Sequence, residues 1–396
     1  MNGFGFLNLP PWHEAFRKNL KKFGLDHLIN APVLCGESFD PPWTSLEEAD
    51  FFSRVDTGFH FPDAGHVTRF PKNIITADPD FAGNRIQSEN YRNVGIRAAI
   101  GGTFPILDLL QSRAFLPDFT RLIAITDGVI SFILSEMENS SVSIEEALRE
   151  AQWKGIAPGN PTRHTHGLIS RERLALLGSI LFETPIPADS IPVEGINKIS
   201  FEDVQVAKFY HFNIRLLGVI EKQEEAFQAW IGPCLIPGRY LLARVRGGME
   251  SAYLQFVDKT SMVYTGPGTG KEVVCRGMLR DFEQLKFQGS FGLPILKKAS
   301  FIPMEKQVSG YCIRISLIDL TSNLAKISQI FTEKGIQIQS ISQYDDGKKT
   351  PKESGVFNMV IFTQPVANEA FVTMLETIKK EVKLATVKSY YRFQNW

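Results

Sequence analysis

The densest group of side chains able to move protons or hold an anion is Arg163-His164-Thr165-His166, with Arg171 and Arg173 following closely. Imidazole is the side chain whose charge changes near neutral pH, so His164 and His166 are the candidate acid/base groups. In strand-like spacing the two rings, one residue apart, point to the same side. The arginines keep their charge at any relevant pH and match anionic groups with a planar fork, so Arg163, Arg171 and Arg173 form a candidate anion clamp, with Thr162 beside them. Two histidines can also ligate zinc, but a third ligand is needed and no H-E-x-x-H or similar spacing supplies one. No metal is expected. A solvent-facing loop is the competing reading of the cluster. His13, His27, His60, His66 and His211 are isolated and give no motif.

The elements that must position these residues are partly legible. Ser143 and Glu146 have capping-box spacing for a helix from Ile144 to Trp153. Gly167 to Phe182 reads as a second helix, with Leu174, Leu177 and Leu181 on one face. Strands are expected through Tyr240 to Val245 and Tyr253 to Val257. Gly266, Gly268 and Gly270 form a loop ahead of a helix ending near Leu279.

The last ~90 residues have the clearest periodicity. Tyr311 to Ile318 alternates as a half-buried strand, and Leu324, Ile327, Ile330 and Phe331 have helical spacing that Gly335 ends. Ile336 to Gln343 and Val356 to Phe362 read as strands around a polar loop from Tyr344 to Ser354. Phe371, Met374, Leu375 and Ile378 mark another helix, and a last strand runs near Thr386 to Arg392. The order βαββαβ is the ferredoxin-like split arrangement. The first ~95 residues are rich in Pro, Phe, Asp and Gly, and only Ala15 to Phe23 suggests a helix.

With 396 residues the chain is long enough for two or three domains. Lys plus Arg and Asp plus Glu number 43 each, so there is no whole-chain field to attract nucleic acid. No apolar run approaches the ~18 residues needed to span a bilayer, and the first twelve residues lack the pattern of a signal peptide. No nucleic-acid or membrane partner is expected, and a cytoplasmic location is. Cys35, Cys234, Cys275 and Cys312 lack CxxC spacing and read as ordinary reduced thiols.

Several segments resemble one family in the same order. Gly128-Val-Ile-Ser-Phe-Ile-Leu-Ser-Glu-Met137 is similar to the N-G-T-T-N-Y-I-L-x-x-M segment of homoserine dehydrogenases. The run from Glu146 to Gln152, with Gly155-Ile-Ala157 and Pro161-Thr162, resembles their A-L-x-x-A-Q-x-x-G-Y-A-E-x-D-P. Tyr264-Thr-Gly266-Pro267-Gly268-Thr-Gly270, followed by Asp281, resembles Y-G-x-G-A-G…D. Ile214-Arg-Leu-Leu-Gly218 and Pro233-Cys-Leu-Ile-Pro237 fall in the right order, and the terminal unit resembles an ACT domain. The resemblance covers about residues 70–394. It implies an α/β fold with a degenerate, shortened Rossmann-like region (1–96), a mixed-sheet catalytic and dimerisation domain (97–300) and a ferredoxin-like ACT domain (308–394). It also implies a homodimer.

The departures from the family pattern concern its chemistry. The positions of its pocket carboxylates fall on Pro158, Asn160, His164 and Ile169, and a lysine falls on Arg173. Its T-A-N-K resembles Thr76-Ala77-Asp78-Pro79, with proline in place of a catalytic lysine. Arg97 replaces a glutamate in the segment Arg97 to Pro105. Proline and isoleucine cannot transfer protons, and Arg97 joins the candidate substrate-binding set for an anionic or neutral ligand. The nearest dinucleotide fingerprint is Gly3-Phe4-Gly5, with Asn8 at the third glycine position and only two residues ahead for a first strand. No nicotinamide or other cofactor is therefore expected. In the ACT-like unit, Asp319-Leu320-Thr321-Ser322 lacks the glycine of D-x-P-G, so a pairing role is expected there over ligand binding.

These features lead to a repurposed enzyme that runs non-redox proton transfer on a small, anionic, amino-acid-related substrate. The alternatives are a non-catalytic pseudoenzyme with a regulatory or assembly role, and an ordinary homoserine dehydrogenase.

Overall fold

The computed structural model describes residues 4–6, 18, 20–22, 32–33, 44–45, 57–60, 73–86, 93–101, 108–109, 118–224, 226–291, 300–344 and 355–393. Gly3, Asn8, Gly102 and the 345–354 part of the polar loop lie outside them. So does most of the helix expected over Ala15 to Phe23, although Lys18 and Leu20–Lys22 are helical.

Six short strands open the chain: β1 Phe4–Phe6, β2 Pro32–Val33, β3 Thr44–Ser45, β4 Thr57–His60, β5 Asn73–Thr76 and β6 Val94–Gly95. All their pairings are parallel, and the order is β3-β2-β1-β4-β5-β6. That is the strand order of the doubly wound nucleotide-binding sheet. The expectation that no first strand exists is thus corrected, because residues 4–6 form it. Helix α1 (Pro79–Ile86) follows β5. Asp78 Oδ1 accepts the amides of Asp80 and Phe81, and Pro79 takes the first helical position, where its missing N–H costs nothing.

The second sheet begins with β7 (Phe119–Ile125), which leads into α2 (Gly128–Ser140). Helix α3 (Ile144–Trp153) carries the expected capping box of Ser143 and Glu146. The short α4 (Thr162–Thr165) and the buried α5 (Leu168–Leu181) follow, joined by Gly167 at φ 76. That left-handed conformation suits glycine. Next come α6 (Phe201–Phe209), β8 (Phe212–Gln223), β9 (Ala226–Pro237), β10 (Met249–Phe256), β11 (Ser261–Pro267) and α7 (Lys271–Gln288). Between β9 and β10, Leu241–Arg244 is a 3-10 turn and not the expected strand. Leu242 and Ala243 are buried against the sheet without joining it.

After β12 (Ser300–Phe301) the terminal unit runs β13 (Val308–Ile318), α8 (Leu320–Glu333), β14 (Ile338–Tyr344), β15 (Val356–Thr363), β16 (Val366–Ala367), α9 (Asn368–Glu381) and β17 (Ala385–Phe393). Its main strands are ordered β17-β13-β15-β14, the ferredoxin-like arrangement expected. Asp319, between β13 and α8, stands at φ 53.

This unit is not a separate bead. Strand β17 pairs in parallel with β9, so one mixed sheet of eleven strands runs through both regions. Two arginines fix the seam. Arg392 lies over the Trp230 ring at 4.5 Å, and Arg314 pairs with buried Asp203 at 2.8 Å. Helices α2 and α5 and strands β7 to β10 supply much of the main core, and α8 and α9 close a second one over the terminal strands.

Candidate functional site

Strand β7 delivers Thr126 and Asp127 to the start of α2 in a buried position. Asp127 is the helix N-cap: its backbone is extended, and its Oδ1 accepts the Val129 amide at 3.0 Å. An aspartate there satisfies an otherwise orphaned N–H and faces the positive end of the helix. Its other oxygen, Oδ2, lies 2.7 Å from His164 Nδ1. Burial pushes the Asp127 carboxyl up, but His164, Arg173 and the Val129 amide together outweigh it and hold the group below its ordinary value. An ionised carboxylate can only accept, so His164 Nδ1 carries the proton and donates it. His164 Nε2 has no hydrogen-bond partner among the described residues. The ring is 19% exposed and its partner 2%, a buried anion orienting an accessible imidazole.

Beneath this pair lies a second one. Arg173, on α5, donates to Glu250 Oε1 at 2.5 Å and to the Thr126 carbonyl at 2.9 Å. Glu250, on β10, also accepts the Gly128 amide at 3.1 Å. Burial raises the Glu250 carboxyl to about 8 against the pull of Arg173, and the like charge of Asp127 adds to the rise. The loop after β11 rests on this carboxyl: a Cβ on Gly268 would lie 1.8 Å from the Glu250 carboxyl carbon. Only glycine fits so close an approach. The glycines read from sequence as turn formers therefore include one that also admits a buried acid.

The structure separates the other sequence candidates. Residues 162–165 are helical, so His164 and His166 do not share a side, as strand spacing had suggested. His166 is exposed, and its Nδ1 caps the Thr162 carbonyl at 2.8 Å. Thr162 is also exposed, and its carbonyl serves α4. Arg163 reaches Glu172 at 2.6 Å with half its side chain in solvent, and burial raises the Glu172 carboxyl. Arg171 pairs at 3.0 Å with the exposed Asp189.

Arg97 corrects the expectation of a substrate contact. Its guanidinium is 3% exposed, 2.6 Å from Asp281 and 3.0 Å from Asp108. Asp281 also accepts the Arg97 amide, and burial lifts the Asp281 carboxyl to about 6. This buried cluster holds the residues after β6 against α7.

Three positions that the resemblance places in the family pocket make local contacts. Pro79 starts α1, the Pro158 carbonyl accepts from Gln152, and Asn160 accepts the Thr162 amide. Helix α1 packs on α5, so the end of β5 faces the helix that carries Ile169 and Arg173. Here His60 Nδ1 lies 3.0 Å from Thr76 Oγ1, its ring stacked on Phe81, and burial lowers its pKa. Among the described residues, no group of three or more histidine, cysteine, aspartate or glutamate side chains could hold a metal ion.

The parallel sheet is the place for a dinucleotide, whose pyrophosphate needs a glycine turn after the first strand. Gly5 instead lies within β1, paired with Gly58 on β4. The residues that follow the strand are Leu7-Asn8-Leu9-Pro10-Pro11, which include no glycine and two prolines without an amide N–H.

Sequence reasoning missed Asp127 and Glu250. Asp127 carried a usable signal, an aspartate just ahead of the apolar run that begins α2. Glu250 carried none, since its partners come from α2, α5 and the loop after β11.

A homoserine dehydrogenase family model matches residues 105–282. The homoserine dehydrogenase of Pseudomonas aeruginosa is 30% identical over 315 residues, covering 75% of this chain and 72% of that protein. The homoserine dehydrogenase of Bacillus subtilis is 24% identical, covering 82% and 77%. Among solved structures, a homoserine dehydrogenase from Thiobacillus denitrificans superposes with a TM-score of 0.85 at 20% identity, covering 100% of this chain and 98% of that one. One from S. aureus gives 0.70 at 16% identity, covering 100% and 99%.

Proposed function

Because the chain belongs to the homoserine dehydrogenase family, we propose that it keeps the family fold and substrate cleft but uses them for non-redox proton transfer on a small anionic, amino-acid-related substrate. The observation that carries this reading is the 2.7 Å contact between His164 and buried Asp127. A carboxylate that fixes an imidazole tautomer, stabilises its cation and leaves Nε2 open is a general arrangement for acid/base catalysis. His164 is the acid/base, and Asp127 is the positioning residue that acts through it. Arg163, half exposed beside a Glu172 whose charge burial weakens, is the group available to a substrate carboxylate. Arg173 is held by Glu250 and supports the Asp127 charge from behind.

The ammonium-binding role has no carboxylate at Pro158, Asn160, His164 or Ile169 to perform it. The lysine position of T-A-N-K is Pro79, which serves the helix instead. Together with the sequence Leu7-Asn8-Leu9-Pro10-Pro11 after β1, which has no glycine, this favours chemistry without hydride transfer. Incubating the protein and its His164→Ala variant with a metabolite extract tests the reading. The native protein should convert an anionic metabolite without added nicotinamide cofactor, and the variant should not.

The second reading is homoserine oxidation, favoured by the names of the relatives, including the one at 30% identity. It predicts nicotinamide-dependent turnover of homoserine in the same preparation.

A further inference from the structure

We propose that an open groove at the far end of α2 is a binding site for a small polyanion, separate from the His164 cleft. The groove has a volume of about 510 Å³ and is lined by Lys208, His211, Arg239 and Arg244 together with Tyr210 and Asn213. Among the described residues, no carboxylate lines it. Among the described residues, neither Lys208 nor Arg244 has a carboxylate within salt-bridge distance; the Arg244 Nε donates to the Gly238 carbonyl. Behind Asn213, its buried partner Glu138 is already held by Arg215 at 2.9 Å and Arg246 at 3.2 Å. In a chain of zero net charge, Lys208 and Arg244, with an imidazole and Arg239 beside them, concentrate positive charge around one depression.

The groove is built rather than incidental. His211 sits at φ 61, a left-handed conformation that a residue with a Cβ adopts at a cost. Two backbone hydrogen bonds hold it there: its amide donates to the Lys208 carbonyl at 3.0 Å, and its carbonyl accepts the Gly238 amide at 2.8 Å. The end of α6 is thereby tied to the end of β9, which brings Lys208 opposite Arg239 and Arg244. The negative end of the α6 dipole accounts for Lys208 alone. It gives no reason for two arginines on the facing turn.

Arginine forks and a lysine suit phosphate or carboxylate oxygens. Because the groove is open, a single anionic group would remain well hydrated, whereas several charges a few ångströms apart could meet several cations at once. A polyphosphate-bearing or multiply carboxylated small molecule fits both requirements. The site is distinct from the cleft: Glu138 and Asp127 lie at opposite ends of α2, roughly 16 Å apart at 1.5 Å rise per residue. Tyr210 and Phe212 also line the small cavity under β13, β15 and β17, so an occupant would press on the seam with the terminal unit.

Calorimetric titration of the full chain with tripolyphosphate, and separately with citrate, tests the proposal at matched ionic strength. Saturable micromolar binding of either probe is expected, and the stronger probe distinguishes a phosphate from a carboxylate ligand. The double variant Lys208→Ala/Arg244→Ala should weaken it about tenfold or more, equivalent to ~1.4 kcal/mol. His164→Ala should leave it unchanged. Absence of saturable binding by both probes, equal binding by the double variant, or loss of binding in His164→Ala would overturn the proposal.

Discussion

His164 and Asp127, 37 residues apart in sequence, meet through a single 2.7 Å hydrogen bond between a ring nitrogen and a carboxylate oxygen. The other oxygen of the same carboxylate caps α2. The helix start and the imidazole are therefore fixed by one buried group, and the ring inherits the rigidity of the β7–α2 junction.

Replacing Asp127 with asparagine separates these two tasks. Asparagine is as good an N-cap, so α2 should persist. The amide cannot supply the charge that stabilises an imidazolium, and its NH₂ can turn toward Nδ1 and select the other tautomer. Activity should fall by about 10²–10⁴, as for other histidine–aspartate pairs, while the melting temperature changes little. Parallel kinetics and thermal melts check both halves.

Glu250 gives the pH dependence a definite sign. Its carboxyl is raised from 4.5 to about 8 in the folded protein. Between those values the native state keeps a proton that the unfolded chain has released, so stability falls as pH rises through the window. The contribution is fully present below 4.5 and lost above about 8. Glu250→Gln should flatten this part of the stability–pH curve, which denaturant melts at several pH values would record. Asp281 acts with the same sign from 3.8 to about 6 and should remain visible in that variant.

Much of the fold was legible because it rests on local pattern. The terminal strands and helices follow from alternation and helical spacing, and the α3 capping box from two residues. The strand expected over Tyr240 to Val245 failed because its apolar residues are buried by packing under a sheet, not by pairing into it. The His164–His166 geometry failed on period: two residues along a strand share a face, while two along a helix do not. The site was legible only to the level of residue type. His164 could be singled out, but its partner, the pairing of Arg173 with Glu250 and the commitment of Arg97 are all long-range facts.

Arg97 should behave as a structural residue. Arg97→Met leaves buried Asp281 without its cation, a change that costs ~3–5 kcal/mol when one partner of a buried pair is removed. A large drop in melting temperature is expected. Ligand affinity, measured below that transition, should stay close to the native value.

Homodimer formation is a further expectation. The terminal unit joins strands β7–β11 at β9 through β17, which leaves β11 and β14 as the edges of the large sheet among the described residues. Light scattering at micromolar concentration should give twice the mass of the 44.5 kDa chain. Monomer alone would count against pairing.

The most direct test of the proposed chemistry is the reaction the relatives are named for. Purified protein is mixed with homoserine and NAD or NADP, and the absorbance of the reduced nicotinamide is followed. The proposal predicts no reduction above the protein-free control and no saturable cofactor binding, since the sequence after β1 has no glycine and Pro158, Asn160, His164 and Ile169 stand where the resemblance places pocket carboxylates. Saturable, homoserine-dependent reduction of either nucleotide would contradict it and establish oxidation as the activity.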